Sequence, residues 1–196
     1  MIQDAFAHNT YIIRRKFWNF LHQGFHIYDA QSQLIGYCRK KAFKLREDLQ
    51  VYTDDSMQTA ILSIKARNII DFSATYDVTD PLTGERVGAL RRQGLHSLAR
   101  DRWLVLDPSD VEICVIEEDS LMRALLRRNV QAAAALMPQR YTGKAGDRVV
   151  CHFRQNFNPF ILKIALDFTE DHDDLLDRRL GVAAAILLCA IEGRQG

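Results

Sequence analysis

The chain has 196 residues, 47% hydrophobic and 26% charged, and its 26 lysines and arginines set against 25 acidic residues leave a net charge of +1. This composition excludes a disordered chain, and the length suits one domain, residues 1–196, with a core of real size. The near-zero charge excludes a global field that would draw the protein to nucleic acid or to an anionic membrane, so an electrostatic function has to come from local clustering.

Met1 to Thr10 show no charged stretch followed by an apolar run and a small-residue cleavage site, so no signal peptide is expected. Arg14-Arg15-Lys16 follow, flanked by Tyr11, Ile12 and Ile13 and by Phe17, Trp18, Phe20 and Leu21. Bases among aromatics suit a membrane interface, and they equally suit a first strand whose aromatics enter a core. Downstream, Phe43 and Leu45 alternate with Lys44 and Arg46, and Leu62, Ile64 and Ala66 alternate with Ser63, Lys65 and Arg67. Val149, Cys151 and Phe153 alternate in the same way, as do Leu162, Ile164, Leu166 and Phe168. A period of two turns one set inward and the other outward, which is the signature of half-buried strands.

Turn signals separate these runs. They are Thr53-Asp54-Asp55-Ser56, Asp80-Pro81-Leu82-Thr83-Gly84-Glu85, Asp107-Pro108-Ser109-Asp110 and Lys144-Ala145-Gly146-Asp147. A weak internal repeat accompanies them. Ile27-Tyr28-Asp29 with Leu34-Ile35-Gly36 has the layout of Tyr76-Asp77 with Arg86-Val87-Gly88, and Trp103 to Ile116 is a looser third copy. Each copy is a strand, an Asp-bearing turn and a returning strand, which fits a meander or barrel.

Two segments break the alternation. From Asp119 to Met137, Met122, Leu126, Ala133 and Met137 form an apolar stripe at helical spacing, with Arg123, Arg127 and Gln131 on another face. This predicts an amphipathic helix on the barrel surface, capped by Asp119 or Ser120 and ended by Pro138. From Leu175 to Ile191 a second helix is expected, with Asp173, Asp174 and Asp177 near its positive end. Every residue from Val182 to Ile191 is apolar, and a helix apolar all round must be buried all round. Three consecutive alanines at 183–185 make it thin enough for a sheet to wrap around. At about 1.5 Å per residue its longest apolar run falls short of a bilayer's roughly 30 Å core. The expected fold is therefore mainly β with α: a closed β-barrel around a buried apolar C-terminal helix, plus one amphipathic surface helix.

The order and spacing of several segments carry a family resemblance. They are Phe25-His26-Ile27-Tyr28-Asp29, Lys41 to Asp48 leading to Val51-Tyr52, Tyr76-Asp77-Val78, Gly88 to Arg92, and Arg100-Asp101-Arg102-Trp103. Pro138-Gln139-Arg140-Tyr141 and Asn156-Phe157-Asn158-Pro159-Phe160 continue it into the apolar terminal helix. From about Tyr11 onward the chain resembles the tubby-C-terminal-like superfamily, which also holds the phospholipid scramblases and the LURP-one-related proteins. It is most similar to bacterial LURP-one-like members. The resemblance implies a twelve-stranded barrel threaded by its C-terminal helix, and it favours the strand reading of Tyr11–Lys16. It also implies an association with lipid: tubby domains bind phosphoinositides through basic residues, and scramblases are linked to calcium and membranes. A shared fold does not transfer function by itself.

Among candidate sites, Arg39, Lys40, Lys41, Lys44 and Arg46 lie close together, with Lys65 and Arg67 on the outward face of a later strand. If these strands are neighbours, Lys41, Lys44, Arg46, Lys65 and Arg67 form a surface for phosphate headgroups. The plainer reading is a solvated strand face whose charges protect an edge. Glu170, Asp171, Asp173, Asp174 and Asp177 are weak calcium candidates, supplying carboxylates without the spacing or mid-loop glycine of an EF-hand. The plainer reading there is an acidic helix N-terminus.

Cys38, Cys114, Cys151 and Cys189 form no CxxC pair, which suits reduced, buried thiols in a cytosolic protein. No HExxH, P-loop, GxGxxG or GxSxG pattern occurs, so neither an enzyme nor a cofactor is expected. The expected function is a cytoplasmic binding domain, peripheral to the membrane, with anionic phospholipid as ligand and no nucleic acid. The alternatives are a protein-interaction module with no lipid role and, third, scramblase-like lipid handling.

Overall fold

The computed structural model describes residues 3–16, 24–40, 48–67, 74–93, 102–119, 139–156 and 161–192. A short 3-10 turn, Gln3–Phe6, precedes twelve strands. These are β1 (Thr10–Lys16), β2 (Gly24–Tyr28), β3 (Leu34–Lys40), β4 (Asp48–Tyr52), β5 (Ala60–Ala66) and β6 (Thr75–Thr79). They continue as β7 (Arg86–Gln93), β8 (Arg102–Leu106), β9 (Glu112–Glu118), β10 (Arg140–Ala145), β11 (Arg148–Gln155) and β12 (Ile161–Asp167). Each strand pairs antiparallel with its neighbours in sequence, and β1 closes the barrel on β12. Closure leaves no sheet edge to protect. A helix, α1 (Arg178–Glu192), follows. Of the amphipathic helix that the sequence pattern places over Asp119–Met137, every position after Asp119 lies outside the described residues.

The alternation sets which side chains fill the barrel. On β1, Tyr11, Ile13 and Arg15 are buried and face Leu166, Ile164 and Leu162 of β12 in register. Along α1, every residue from Leu180 to Ala190 is buried, so the helix fills the interior as its all-round apolar sequence requires. Two glycines mark its tightest contacts. A Cβ on Gly181 would lie 2.2 Å from the Phe168 ring. Gly88 on β7 has φ +155°, and a Cβ there would lie 2.3 Å from the Leu106 carbonyl oxygen and 3.2 Å from the Leu180 side chain. At the helix's other end, Arg15 is only 6% exposed and donates from Nη1 to the Cys189 carbonyl at 3.4 Å. A cation there meets the negative end of the helix dipole. Its burial pulls the Arg15 pKa down.

The helix begins at Arg178, three residues later than the sequence pattern suggests. Asp171 is the reason. Its buried carboxylate accepts the Leu175 and Leu176 N–H groups at 2.9 and 3.2 Å and holds that stretch in a loop. Asp177 then caps the helix, accepting the Arg179 N–H at 2.8 Å.

The Asp-bearing hairpins recur as the internal repeat suggests. Asp29 accepts from Gln31 N, Asp54 from Ser56 N, Asp80 from Leu82 N and Asp107 from Ser109 N, each at 2.8–2.9 Å. An Asp side chain that bonds the backbone two residues on mimics a turn of its own. These turns, the β10–β11 turn and the start of α1 all lie at one end of the barrel, called the hairpin end below.

Candidate anion-binding face

Charge is divided along the barrel axis, which the net value of +1 conceals. The hairpin end carries Asp29, Asp54, Asp55, Asp80, Glu85, Asp107 and Asp110, and then Asp147 and Glu170 to Asp177. The strand halves away from it carry Arg14, Arg39, Lys65, Arg91, Arg92, Arg140, Arg154 and Lys163.

The sequence-derived cations fall into two groups. Lys41, Lys44 and Arg46 lie outside the described residues. Lys65 and Arg67 are exposed on the outer face, as alternation requires, but both have acidic neighbours. Lys65 stands in register with Asp48 on β4 and Asp77 on β6. Arg67 belongs to a closed ring of charges: its Nη2 lies 2.5 Å from Asp77 and 3.0 Å from Asp110, and Arg86 Nη2 lies 3.2 and 2.6 Å from the same two carboxylates. The ring bridges β7, where the outward residue beside Asp77 is the small, fully buried Ala89. Hydrogen bonds from both guanidiniums hold the Asp110 carboxyl down to about 2, and Arg67 in the same way holds Asp77 below its ordinary value.

Other outward cations face one another across the barrel register. Arg14 on β1 stands directly opposite Lys163 on β12, and Arg140 on β10 directly opposite Arg154 on β11. All four alternate with buried neighbours (Ile13, Leu162, Tyr141 and Phe153) and so point outward. Among the described residues none of the four forms an ion pair. Like charges directly opposite each other destabilise a sheet, so these pairs work against folding. Beside Arg14 and Lys163 is a groove of about 310 Å³, lined also by Ile12, Tyr28, Ser32, Asn156 and Ile161. Next in the same row, His26 is paired with Arg14 and Tyr37 with His26. The His26 ring stacks at 23° on Tyr28 and lies 5.1 Å from Tyr37. The face therefore combines positive charge, hydroxyl and amide groups, and flat apolar rings. That combination suits an anion attached to something less polar.

Arg154 and Lys163 are far from Arg14 in sequence, and only the barrel register brings them onto one face. The signal available in the sequence was their alternation with Phe153, Leu162 and Ile164.

The calcium candidates are dispersed over different arginines. Asp171 is paired with Arg178 at 2.7 Å, and Asp174 with the same guanidinium at 2.8 Å. Asp177 is paired with Arg179 at 2.7 Å, and Asp173 with Arg148. Among the described residues no three metal-binding side chains converge. A larger groove of about 800 Å³ lies over β9–β11. Its lining is mainly acidic, with Glu112, Glu117, Glu118 and Asp119 against Arg102 and Lys144; Arg102 lies 3.1 Å from Glu117, Thr142 Oγ1 donates to Asp119 at 2.8 Å, and His152 lies 3.0 Å from Glu170.

A barrel that fills its interior with its own helix has only its outer face and its ends for other molecules, and the class this defines is a helix-threaded β-barrel. The chain belongs to the LURP-one-related family, whose model matches residues 34–188. The match begins at the first residue of β3 and ends within α1, so β1 and β2, which supply Arg14, His26 and Tyr28, complete the barrel from outside the matched span. No curated protein matches the chain.

Proposed function

We propose that the protein is a non-enzymatic binding domain that docks on anionic phospholipid headgroups at a cytoplasmic membrane surface. Its contact is the outer face of β10–β11–β12–β1–β2, with Arg14 and Lys163 as the central phosphate contacts. The supporting observation is the pair itself: two cations directly opposed across β1 and β12, with no carboxylate paired to them among the described residues, at the edge of a groove. A pair that costs folding energy is retained most economically if an anion relieves it. Tyr28, Ile12 and Ile161 supply the amphipathic and apolar surface that suits a headgroup boundary.

The mode of contact in this reading is peripheral. No helix among the described residues is long and apolar enough to cross a membrane. Scramblase-like handling by α1 would require that helix to leave the barrel it fills, so it ranks below surface docking.

Sedimentation with vesicles tests the reading. Binding to anionic vesicles at physiological salt, weak binding to neutral ones, and loss on Arg14→Glu with Lys163→Glu are the expected results. Equal sedimentation of the double variant would remove this face, and no binding by the wild type would leave the protein-interaction reading ahead.

A further inference from the structure

The hairpin end is a second surface, of opposite character. The large hydrophobic side chains that stand exposed among the described residues are Leu34, Leu82, Val111 and Leu175, at 41%, 54%, 58% and 40% exposure. All four lie at the hairpin end: Leu82, Val111 and Leu175 on three different connections, and Leu34 as the first residue of β3. Those three connections (the β6–β7 turn, the β8–β9 turn and the loop before α1) frame a groove of about 560 Å³. Its floor is apolar: Phe6, Val87, Ile113, Leu176 and Leu180 line it, and Leu175 stands at its margin.

The rim is acidic beyond what its own cations neutralise. Arg178 and Arg179 are both occupied, Arg178 by Asp171 and Asp174 and Arg179 by Asp177, Glu85 and, at 3.7 Å, Asp80. Asp107 adds a further carboxylate to the lining. Every connection at this end lies within the described residues. Turn tips in a barrel have no core to serve, so Leu82, Val111 and Leu175 raised above an acidic ground are a cost to solubility. Apolar protrusions around a concave apolar floor, inside a negative rim, complement a segment with basic and apolar residues together.

We propose that this groove docks a cationic amphipathic segment of a partner protein, its apolar residues on Leu175 and the floor and reaching Val111 on the framing β8–β9 turn, and its bases against Glu85, Asp107 and Asp174. The surface is distinct from the headgroup face and does not depend on it. An anionic membrane would repel the hairpin end while attracting the basic half, leaving this groove turned toward solvent.

The test uses the full chain and a dye-labelled synthetic helix of lysine and leucine, with lysine–serine and glutamate–leucine helices of the same pattern as controls. Anisotropy titration should show binding of the lysine–leucine helix above both controls. Leu175→Ser with Val111→Ser should weaken it about tenfold, the scale of losing apolar anchors at a contact centre. Glu85→Gln with Asp174→Asn should weaken it and flatten its salt dependence, and Arg14→Glu with Lys163→Glu should leave it unchanged. All substituted residues are exposed or half-buried, so the variants are expected to fold, which circular dichroism checks. Equal binding of the lysine–serine helix, indifference to Leu175→Ser with Val111→Ser, or self-association that buries this end would overturn the proposal.

Discussion

Arg14 stands directly opposite Lys163 across β1 and β12, and among the described residues neither has a carboxylate partner. The two residues are far apart in sequence, and only closure of the barrel makes them neighbours. Replacing Lys163 by Glu therefore acts in two directions. The protein gains a few tenths of a kcal/mol, up to about 1 kcal/mol, because a repulsive cross-strand pair becomes an attractive one. Binding to anionic vesicles falls in the same variant. Urea unfolding and vesicle sedimentation read the two effects side by side, and Lys65→Glu, on a face already supplied with carboxylates, serves as control. A variant that is less stable and binds as before would contradict both halves of the argument.

The Asp171 carboxylate ties the loop before α1 to the helix it precedes. Its side chain is fully buried, accepts two backbone N–H groups and is paired with Arg178, whose guanidinium also lies 4.4 Å above the Phe168 ring. Asp171→Asn removes the charge and leaves Arg178 without its buried partner. Breaking a buried pair from one side costs about 3 kcal/mol, and thermal or urea unfolding should show a loss of that order. Asp173→Asn, at an exposed pair with Arg148, should change stability by less than about 1 kcal/mol.

Much of the fold was legible because its chemistry is local. Alternation at Leu162, Ile164 and Leu166 marks an inward face, Asp54, Asp80 and Asp107 mark turns, and an all-apolar run at 182–191 can only be enclosed. The helix start was misplaced because the capping decision rests with Asp171, a carboxylate bonding forward to Leu175 and Leu176. The binding face was only partly legible. The Arg14 cluster was visible as a run of bases, but which of its members points outward is set by the strand, and Arg15 points inward to the helix terminus. Which cations find carboxylates depends on barrel register: Arg67 looks free in the sequence and is paired with Asp77 and Asp110 in the fold, and Lys65 stands in register with Asp48 and Asp77.

Stability should fall at both pH extremes for different reasons. Asp110 sits at about 2 and Asp77 is held below its ordinary value of 3.8, so the stability they contribute is present above that value and lost as pH falls through their native range toward 2. At the alkaline side burial raises the Cys114 thiol from 9.0 to about 12 and the Tyr11 phenol from 10.0 to about 12, and it pushes Cys38 up as well. For these acids the neutral form belongs to the folded state, so stability is intact below the ordinary values and declines as pH rises from about 9 toward 12. Each of the buried thiols and the phenol contributes a slope of about 1.4 kcal/mol per pH unit over its own interval. Unfolding free energies measured from pH 7 to 11 should show the decline, and Cys114→Ala should flatten it. An identical slope in that variant would mean the thiol is not shielded.

Enclosure of α1 is tested most directly at Ala184, which is 2% exposed inside the barrel. Ala184→Asp places an unpaired carboxylate among apolar side chains, at a cost of several kcal/mol that approaches the whole stability of a domain. Circular dichroism should show an unfolded or aggregated chain. A soluble, cooperatively folding variant would mean that the helix is not surrounded by the sheet.

Gly181→Ala separates helix propensity from packing. On a solvent-exposed helix this substitution stabilises by up to about 1 kcal/mol, because alanine restricts the unfolded chain and favours the helix. In α1 the added methyl would lie 2.2 Å from the Phe168 ring, which must move. That ring is confined, with Tyr11 edge-on at 6.0 Å and the Arg178 guanidinium 4.4 Å above it, so displacement disturbs the whole helix entry. Overpacking of this kind costs about 1–3 kcal/mol, enough to outweigh the propensity gain. The midpoint of urea unfolding should therefore fall. A companion change that makes room, Phe168→Leu, should recover part of the loss in the double variant, because contacting residues couple by about 0.5–3 kcal/mol. A rise in stability on Gly181→Ala alone would show that the helix and Phe168 pack more loosely than their geometry requires.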